Sequence, residues 1–258
     1  MNTILFLTAC VNPNGMVYTK LNNPEVRLKQ YKDALDWYLQ NTDLSIILVE
    51  NSGCDFSADY KEFVDRGRLE FISFNGNDYD RTLGKGYGEA QIMYYGINNS
   101  SIISARESRI VKVTGRFICR NIKSICEEHN KLNVVYANIS KDDWGGDIST
   151  SSCVIAPKSF WTGYFLPYRE TLNDSKRHHF EHLLYEAIER WRGDGKKHKE
   201  FWTIPQMEGT SGTSGIYYST SPVRDMKSKL LYFLHKLGYR GYLNPFYKGN
   251  KDFVINER

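Results

Sequence analysis

Short apolar runs alternate along this chain with segments whose apolar residues recur at helical spacing, and this alternation limits the possible folds more than any other feature. Residues 4–9 form a continuous apolar run that ends in a polar turn at residues 12–15, as expected of a strand buried on both faces. Residues 25–39 then place apolar side chains at helical spacing, and residues 45–49 form a second buried run. The chain is therefore predicted to open with a strand, a helix and a second strand parallel to the first.

The same alternation continues to about residue 191. Further strands are predicted at residues 69–74, 110–113, 134–137 and 153–156, and further helices at residues 88–97, 117–129 and 180–191. Strands that alternate with helices form mostly parallel sheets with helices on both faces. We expect an α/β fold with a mostly parallel central sheet in residues 1–220, and a basic amphipathic helical extension in residues 221–258.

The amino-acid composition argues against several classes of protein, including nucleic-acid-binding, disulfide-rich and zinc-binding ones. The 258 residues are 41% apolar and 25% charged, which is typical of a globular chain. The net charge of +4 is small and dispersed, so no nucleic-acid partner is expected, although a phosphate-bearing ligand remains compatible. The five cysteines form no CxxC pair, which argues against a disulfide framework and a thiolate zinc site and favours a cytoplasmic location.

The first two predicted strands end in candidate ligand contacts, with Thr8 and Ala9 at the end of the first and Glu50 and Asn51 directly after the second. Open α/β sheets bind ligands beyond the carboxyl ends of their strands, so ligand contacts are expected here. Glu50 and Asn51 have the hydrogen-bonding groups to contact a base edge and ribose hydroxyls. A strand-capping turn at residues 51–53 is the alternative.

The segment Leu83-Gly84-Lys85-Gly86-Tyr87-Gly88-Glu89 precedes a predicted helix. Glycines around Lys85 let backbone N–H groups approach an anion at the helix N-terminus. The segment matches neither a P-loop nor a dinucleotide fingerprint. A loop in which glycine supplies positive φ is an equal alternative to a phosphate contact.

A cation lies inside the fourth predicted strand, where Lys112 is followed by Thr114-Gly115-Arg116 at the strand end. Arg116 can present a fork of donors to a diphosphate or a sugar carboxylate. Solvated or salt-bridged surface positions are the alternative, but a cation in a buried strand is costly without a partner.

Three further segments carry polar side chains that suit catalysis or ligand binding. Asp143 and Asp147 concentrate acid in a loop, as Mg²⁺ or Mn²⁺ binding requires, with a solvated loop as the alternative. Glu181 lies at the start of an amphipathic helix, where it either deprotonates an acceptor hydroxyl or complements the helix dipole. Ser211 and Thr213 belong to a Ser/Thr/Gly loop that either covers the site or serves as a mobile linker.

In this order the segments resemble those of bacterial capsular-polysaccharide or lipopolysaccharide glycosyltransferases of the GT-A-like class. The resemblance extends to about residue 218 and is carried by the segments ILFLTACVNP, IILVENSG, GKGYGEAQIMYYGI, IVKVTGRF, HHFEHLLYEAI and PQMEGTSGTSGIYY. It implies nucleotide contacts from Thr8, Ala9 and Glu50, donor contacts from Lys85 and Glu89, and a general base at Glu181.

The chain departs from that class at one point. The usual metal-binding DxD after the fourth strand is replaced by Thr114-Gly115-Arg116. Lys112 and Arg116 are therefore expected to neutralise the leaving phosphate in place of a cation. Asp143 and Asp147 are reserve metal ligands, and a requirement for Mn²⁺ or Mg²⁺ is left open.

The function expected from the resemblance is transfer of a sugar from a nucleotide-sugar donor to a hydroxyl of a surface glycan or lipid-linked glycan, with inversion. A nucleotidyltransferase and a non-catalytic carbohydrate-binding component of a polysaccharide assembly complex are the alternatives. In the basic C-terminal region one helical stripe is formed by Met226, Leu230, Phe233, Leu234 and Leu237. Peripheral contact of this helix with the inner membrane surface is one expectation, and docking of the helix on the protein core is the alternative.

Overall fold

A computed structural model describes residues 3–17, 19–103 and 107–219, together with Met226, Leu230 and Phe233. Among these residues no helix is both long and apolar enough to span a membrane. The first half of the chain forms β1 (Thr3–Ala9), α1 (Pro24–Asn41), β2 (Ser45–Glu50), α2 (Lys61–Asp65), β3 (Leu69–Ser73), α3 (Gly84–Asn99), β4 (Arg109–Thr114), β5 (Ile118–Cys119) and α4 (Ile122–Glu128). The second half forms β6 (Val134–Tyr136), β7 (Ile139–Lys141), β8 (Asp147–Ser149), β9 (Cys153–Pro157), α5 (Lys158–Phe160), α6 (Phe180–Gly193), β10 (Lys197–Lys199), β11 (Met207–Thr210) and β12 (Tyr217–Tyr218).

A seven-stranded sheet in the order β10-β6-β9-β4-β1-β2-β3 forms the centre of the described chain. Strand β1 is parallel to β2 and to β4, with Phe6 opposite Ile47 on one side and Lys112 on the other. Strand β3 is parallel to β2, and β10 is parallel to β6. Only β9 runs against its neighbours β4 and β6 within this sheet.

Alternate side chains of the central strands enter two separate hydrophobic cores. Leu5 and Leu7 of β1 pack with residues of α1 on one face, whereas Ile4 and Phe6 pack with residues of α3 and α6 on the other. Because both faces are covered, the strands read as continuous apolar runs in the sequence. The predicted α/β fold, with a mostly parallel sheet and helices on both faces, is confirmed.

One predicted helix is shorter than expected, and one strand runs in a direction that the sequence did not indicate. The helix predicted at residues 117–129 begins only at Ile122, because Ile118 and Cys119 form β5 and pair with Glu208 and Met207 of β11. The polar segment after β6 contains no helix, and β7 and β8 form an antiparallel hairpin there. Without a helical crossover the chain returns beside β6 in the opposite direction, which makes β9 antiparallel.

The expected helical extension in residues 221–258 lies outside the described residues, apart from three of its members. Met226, Leu230 and Phe233 are helical, and their exposed fractions are 67%, 56% and 58%.

Candidate functional site

A cavity of about 780 Å³ opens at the carboxyl ends of the central parallel strands. Thr8 at the end of β1, Asn51 after β2 and Thr114 at the end of β4 contribute to its floor. The cavity is thus at the sheet edge where an open α/β fold is expected to bind its ligand. Its walls come from α1, α3, α6 and the segments around residues 144, 175 and 212.

Arg116 lines this cavity and forms no ion pair with a carboxylate among the described residues. Its Nη1 donates to the Thr210 carbonyl at 2.8 Å, whereas its buried Nε has no hydrogen-bond partner among the described residues. A Cβ at Gly212 would lie 2.6 Å from Nη2, so the glycine makes room for the guanidinium. Arg116 is therefore held against the cavity wall, and its guanidinium still has N–H donors that could bind a ligand.

Lys112 is completely buried but is paired. Its Nζ lies 2.6 Å from Glu89 Oε1 and donates to the Ser151 carbonyl at 2.6 Å and, at 3.4 Å, to Thr114 Oγ1. The three donors of the ammonium are thus engaged, and Lys112 does not line the cavity. The structure explains how a cation is accommodated in a buried strand, and it leaves Lys112 no direct contact with a leaving phosphate.

Glu89 faces the cavity from α3, beside the ends of β1 and β4. In addition to the Lys112 ammonium, it accepts hydrogen bonds from Thr8 Oγ1 at 2.9 Å and Thr114 Oγ1 at 3.4 Å. One carboxylate therefore ties three sequence-predicted site residues together.

Glu181 lies in the first turn of α6 and also lines the cavity. Its Oε1 accepts a 2.5 Å hydrogen bond from Ser151 Oγ, and the carbonyl of the same serine accepts from Lys112. The backbone and side chain of Ser151 therefore couple the Glu181 carboxylate to the buried Lys112–Glu89 pair.

Glu50 is fully buried and does not line the cavity. Its carboxylate accepts backbone hydrogen bonds from Val11 at 2.8 Å, Cys54 at 2.8 Å and Ser52 at 3.0 Å. These bonds join the loops after β1 and β2, so Glu50 shapes the cavity floor rather than contacting a ligand. Ala9 is likewise buried outside the cavity lining.

Asn51 does line the cavity, and its buried Oδ1 lacks a hydrogen-bond partner among the described residues. Gly115 is buried behind the lining, where a Cβ would lie 2.6 Å from the Thr8 carbonyl. That close approach is the reason for a glycine at position 115.

The N-terminus of α3 already holds an anion. Asp174 is buried against Gly84 and Gly86, where a Cβ would lie 2.2 Å and 2.9 Å from its carboxylate oxygens, and it accepts from the Gly86 N–H at 3.3 Å. His179 Nδ1 lies 3.0 Å from Asp174 Oδ1, and this hydrogen bond raises the pKa of His179 despite the opposing effect of burial. These glycines therefore admit an internal carboxylate, and Lys85 alone projects from this turn into the cavity as a cation.

The Ser/Thr/Gly loop after β11 forms one wall of the cavity. Thr213 Oγ1 accepts a hydrogen bond from Lys85 Nζ, and the Gly212 carbonyl accepts from the backbone N–H groups of Lys20 at 3.0 Å and Leu21 at 3.3 Å. Ser211 lies behind this wall, where its Oγ accepts from Ser214 N–H at 3.3 Å. The loop is an ordered part of the site, with Thr213 rather than Ser211 at the cavity.

The reserve metal ligands do not line the cavity. Asp147 pairs with Lys141 at 2.6 Å across the β7–β8 hairpin. Within residues 3–17, 19–103 and 107–219, no three His, Cys, Asp or Glu side chains are grouped so that they could hold a metal ion. Asp143 and Asp147 thus do not make a metal site by themselves among the described residues.

The structure adds site residues that sequence reasoning missed. Arg27 of α1 is 5% exposed, lines the cavity and donates to the Cys10 carbonyl through Nε at 2.8 Å and Nη2 at 2.6 Å. An arginine at a position that the helical spacing assigns to the buried face of α1 is a signal that the sequence does contain. Asp174, His179 and Ser151 gave no such signal, because their partners are distant in sequence.

The thiol of Cys10 also lines the cavity. Burial raises the pKa of Cys10 to about 11, so this thiol stays protonated at neutral pH.

The structure thus brings eight of the predicted site residues to one cavity, and it places the others behind the lining or away from it. The residues at the cavity are Thr8, Asn51, Lys85, Glu89, Thr114, Arg116, Glu181 and, from the loop after β11, Thr213 in addition.

No protein-family model matches the sequence, and no curated protein matches it significantly. Solved structures with some similarity include a proposed nucleotide-diphospho-sugar transferase from Desulfovibrio desulfuricans G20, with 12% identity and a TM-score of 0.40 over 78% of this chain and 80% of that one. The inositol-1-phosphate CTP transferase from T. maritima is 14% identical, with a TM-score of 0.42 over 93% of this chain and 97% of that one. A nucleoside-diphosphate-sugar pyrophosphorylase from Vibrio cholerae RC9 is 10% identical, with a TM-score of 0.39 over 77% of this chain and 90% of that one. At identities and TM-scores this low, the similarities carry no conclusion about what this chain binds.

Proposed function

We propose that this protein is a glycosyltransferase that moves a sugar from a nucleotide-sugar to a hydroxyl of a surface-glycan acceptor, such as capsule, O-antigen or lipooligosaccharide. One observation carries the proposal: a single cavity at the ends of the parallel strands holds the cations Arg116 and Lys85 together with the carboxylate of Glu181. Cations at one wall suit a phosphate leaving group, and a carboxylate suits an entering hydroxyl.

In the proposed reaction the acceptor oxygen bonds to the anomeric carbon while its proton passes to Glu181. The bond between the anomeric carbon and the phosphate oxygen breaks, and its electron pair leaves with the nucleoside phosphate. Arg116 and Lys85 stabilise the charge that develops there, since neither is paired with a carboxylate among the described residues. A single displacement of this kind inverts the anomeric configuration.

The remaining site residues position these groups. Ser151 orients Glu181 through the 2.5 Å hydrogen bond, and the Lys112–Glu89 pair orients Ser151 and Thr8. Asn51 Oδ1 is available to accept a hydrogen bond from the nucleoside. Glu50 and Lys112, expected from the sequence to contact the donor, act in this proposal through the groups they hold.

We assign the catalytic unit to residues 1–220. The basic residues of 221–258 suit peripheral attachment to the cytoplasmic face of the inner membrane, where a lipid-linked acceptor would be presented.

The proposal is tested with UDP-, GDP-, CMP- and dTDP-sugars in a thermal-shift screen, each with and without Mn²⁺. We expect one nucleotide class to raise the unfolding temperature of the protein, and the Mn²⁺ arm reports whether a cation assists. A carbohydrate-binding protein without catalysis would show no nucleotide-dependent shift.

Variants then separate the two roles. With the donor identified, Glu181→Gln should keep donor binding and lower turnover at least about a hundredfold, because the general base is lost. Arg116→Ala should lower turnover by a similar factor while leaving acceptor binding unchanged. Near wild-type turnover of Glu181→Gln would remove the assigned base, and equal losses of turnover and acceptor binding in Arg116→Ala would remove the leaving-group role.

Arg27 favours a second candidate, a nucleotidyltransferase. Such enzymes normally carry a basic residue in the loop directly after the first strand, and the segment ACVNPNGM at residues 9–16 contains none. Arg27 supplies one from α1, at 2.6 Å from the Cys10 carbonyl. Release of pyrophosphate from a nucleoside triphosphate and a sugar phosphate would establish this activity, whereas release of a nucleoside phosphate from a nucleotide-sugar would establish the first.

A further inference from the structure

An exposed tryptophan and an arginine meet at the mouth of the cavity. The Arg177 guanidinium carbon lies 4.5 Å from the centroid of the Trp144 ring, and both side chains line the cavity. Trp144 is nevertheless 63% exposed, the highest value among the large aromatic side chains of the described residues. An exposed apolar ring is informative when it borders a polar cavity, because nothing in the core requires it there.

Trp144 is fixed on the same side as Glu181. Asp142 Oδ1 accepts from the backbone N–H groups of Trp144 at 2.9 Å and Gly146 at 2.7 Å. The other oxygen of Asp142 lies 3.1 Å from His182 Nε2, one residue beyond Glu181 on α6. The hairpin turn that carries the tryptophan is thereby tied to the helix that carries the proposed base.

Arg177 is held in an unusual backbone conformation. Its φ is +60°, in the left-handed region that non-glycine residues seldom adopt. Asn173 and His178 on either side exchange two backbone hydrogen bonds of 2.9 and 3.0 Å, and Arg177 N–H donates to the Asp174 carbonyl at 3.1 Å. A tight turn thus aims this arginine at the cavity mouth, at a conformational cost that functional sites often carry.

Charge distinguishes Arg177 from the buried cation of the site. Lys112 is neutralised by Glu89, whereas Arg177 pairs with no carboxylate within the part of the chain that the structure describes. A guanidinium at a cavity mouth without a counter-ion attracts a carboxylate or phosphate group.

From these observations we infer that Trp144 and Arg177 form an acceptor subsite for an anionic sugar. This inference rests on the proposed glycosyltransferase activity, since the acceptor must approach Glu181. A sugar ring packs against the exposed indole of Trp144, and its carboxylate or phosphate pairs with Arg177 beside it. The acceptor class is therefore a glycan whose terminal residue carries a negative charge.

The test is a set of binding measurements on the full chain. The probes are oligosaccharides that end in glucuronate, in sialate or in a 6-phosphorylated hexose, each with a neutral counterpart of the same length. The variants are Trp144→Ala and Arg177→Gly, the second of which retains the left-handed backbone. Tyr94→Ala is the matched control, because Tyr94 is 40% exposed and lies 3.9 Å beneath Arg169 but outside the cavity.

We expect the wild-type protein to bind at least one acidic probe about tenfold more tightly than its neutral counterpart. Trp144→Ala should weaken binding of both members of that pair, Arg177→Gly should remove only the preference for the acidic member, and Tyr94→Ala should change neither. The carboxylate and phosphate arms distinguish the two sources of charge.

Equal affinity for acidic and neutral probes, no binding of any probe, or wild-type affinities in both variants would overturn the inference. So would a loss of nucleotide-sugar binding in Arg177→Gly, which would assign this arginine to the donor. The nucleotide thermal-shift screen separates the two proposals: a protein that binds acidic glycans through Trp144 and Arg177 without binding nucleotide-sugars retains the subsite and loses the glycosyltransferase assignment.

Discussion

At the scale of single residues, the site depends on one buried charge pair. Lys112 has no exposed surface, whereas the Glu89 side chain is 21% exposed, so the lysine has no access to water if its partner is removed. Buried pairs of this kind contribute little net stability, but breaking one leaves an uncompensated charge.

We therefore expect Glu89→Gln to destabilise the protein by about 3–5 kcal/mol, measured as the free energy of unfolding in urea. The double variant Glu89→Gln/Lys112→Met should recover a large part of this loss, because the orphaned ammonium is gone. Equal stabilities of the single variant and the wild-type protein would mean that Lys112 is not held by Glu89.

The sequence revealed one half of this pair and not the other. Lys112 stood out because it interrupts an apolar strand, and burial of a cation requires a partner. Glu89 was identified through a glycine-rich segment and a family resemblance, with no sign that it meets Lys112. Asp174 could not be recognised, because the space it occupies is made by Gly84 and Gly86, which are distant in sequence.

At the scale of elements, α3 approaches the sheet unusually closely. A Cβ at Gly96 would lie 2.5 Å from Phe6 Cζ and 2.6 Å from Val49 Cγ2. Gly96 therefore sets the distance between this helix and strands β1 and β2, and with it the position of Glu89 over the strand ends.

Gly96→Ala should lower the free energy of unfolding by about 1–3 kcal/mol, because the added methyl group overpacks the core. Gly193→Ala at the end of α6 is the matched control, since no atom lies within 4 Å of its added Cβ. That control should remain within about 1 kcal/mol of the wild type, on the stabilising side. A destabilisation of equal size in both would point to backbone effects instead of packing.

Elements with a strong apolar period were predictable, and short or charged ones were not. Helices α1 and α6 matched their sequence periodicity, as did strands β1, β2 and β4. Strand β10 is not predicted from the sequence, because its three residues, Lys-His-Lys, are not apolar. Strand β5 is not predicted either, because it pairs with β11, almost ninety residues away along the chain. Pairings of this kind depend on tertiary contacts that no local pattern records.

At the scale of the whole molecule, acid sensitivity follows from two histidines. His129 is fully buried and accepts at Nε2 from Trp202 N–H at 3.2 Å, and His198 contacts the Ala137 carbonyl at 2.8 Å. Burial lowers the pKa of both below the ordinary value of about 6.5. At these two positions the unfolded chain therefore binds more protons than the folded one in mildly acidic solution.

We expect the urea midpoint of the wild-type protein to fall as the pH decreases from about 7 to about 5, with these two histidines contributing to the slope. Replacement of His129 by Gln should reduce that slope. His179→Gln should act in the opposite direction, because the Asp174 hydrogen bond raises the pKa of His179 and its stabilisation is lost as the pH rises. An unchanged slope in His129→Gln would exclude the buried imidazole as a source.

The fold class was predictable for the whole molecule because alternation of strands and helices is a local signal repeated many times. The cavity was predictable in position, since ligands bind where parallel strands end, but not in the arrangement of its walls. Arg27, Asp174 and Trp144 reach it from three separate segments, and their convergence is set by packing.

Because the loop around Gly212 is synthesised after the central sheet, formation of the sheet and closure of the cavity wall can occur at different times during synthesis. All seven strands of the central sheet lie before residue 200, whereas one wall of the cavity is supplied by contacts from residues 210–213 to Lys20, Lys85 and Arg116. A nascent polypeptide emerging from the ribosome can thus complete its sheet while its pocket is still open on one side. This wall of the cavity closes only after residues 210–213 have been synthesised and have made their contacts with Lys20, Lys85 and Arg116.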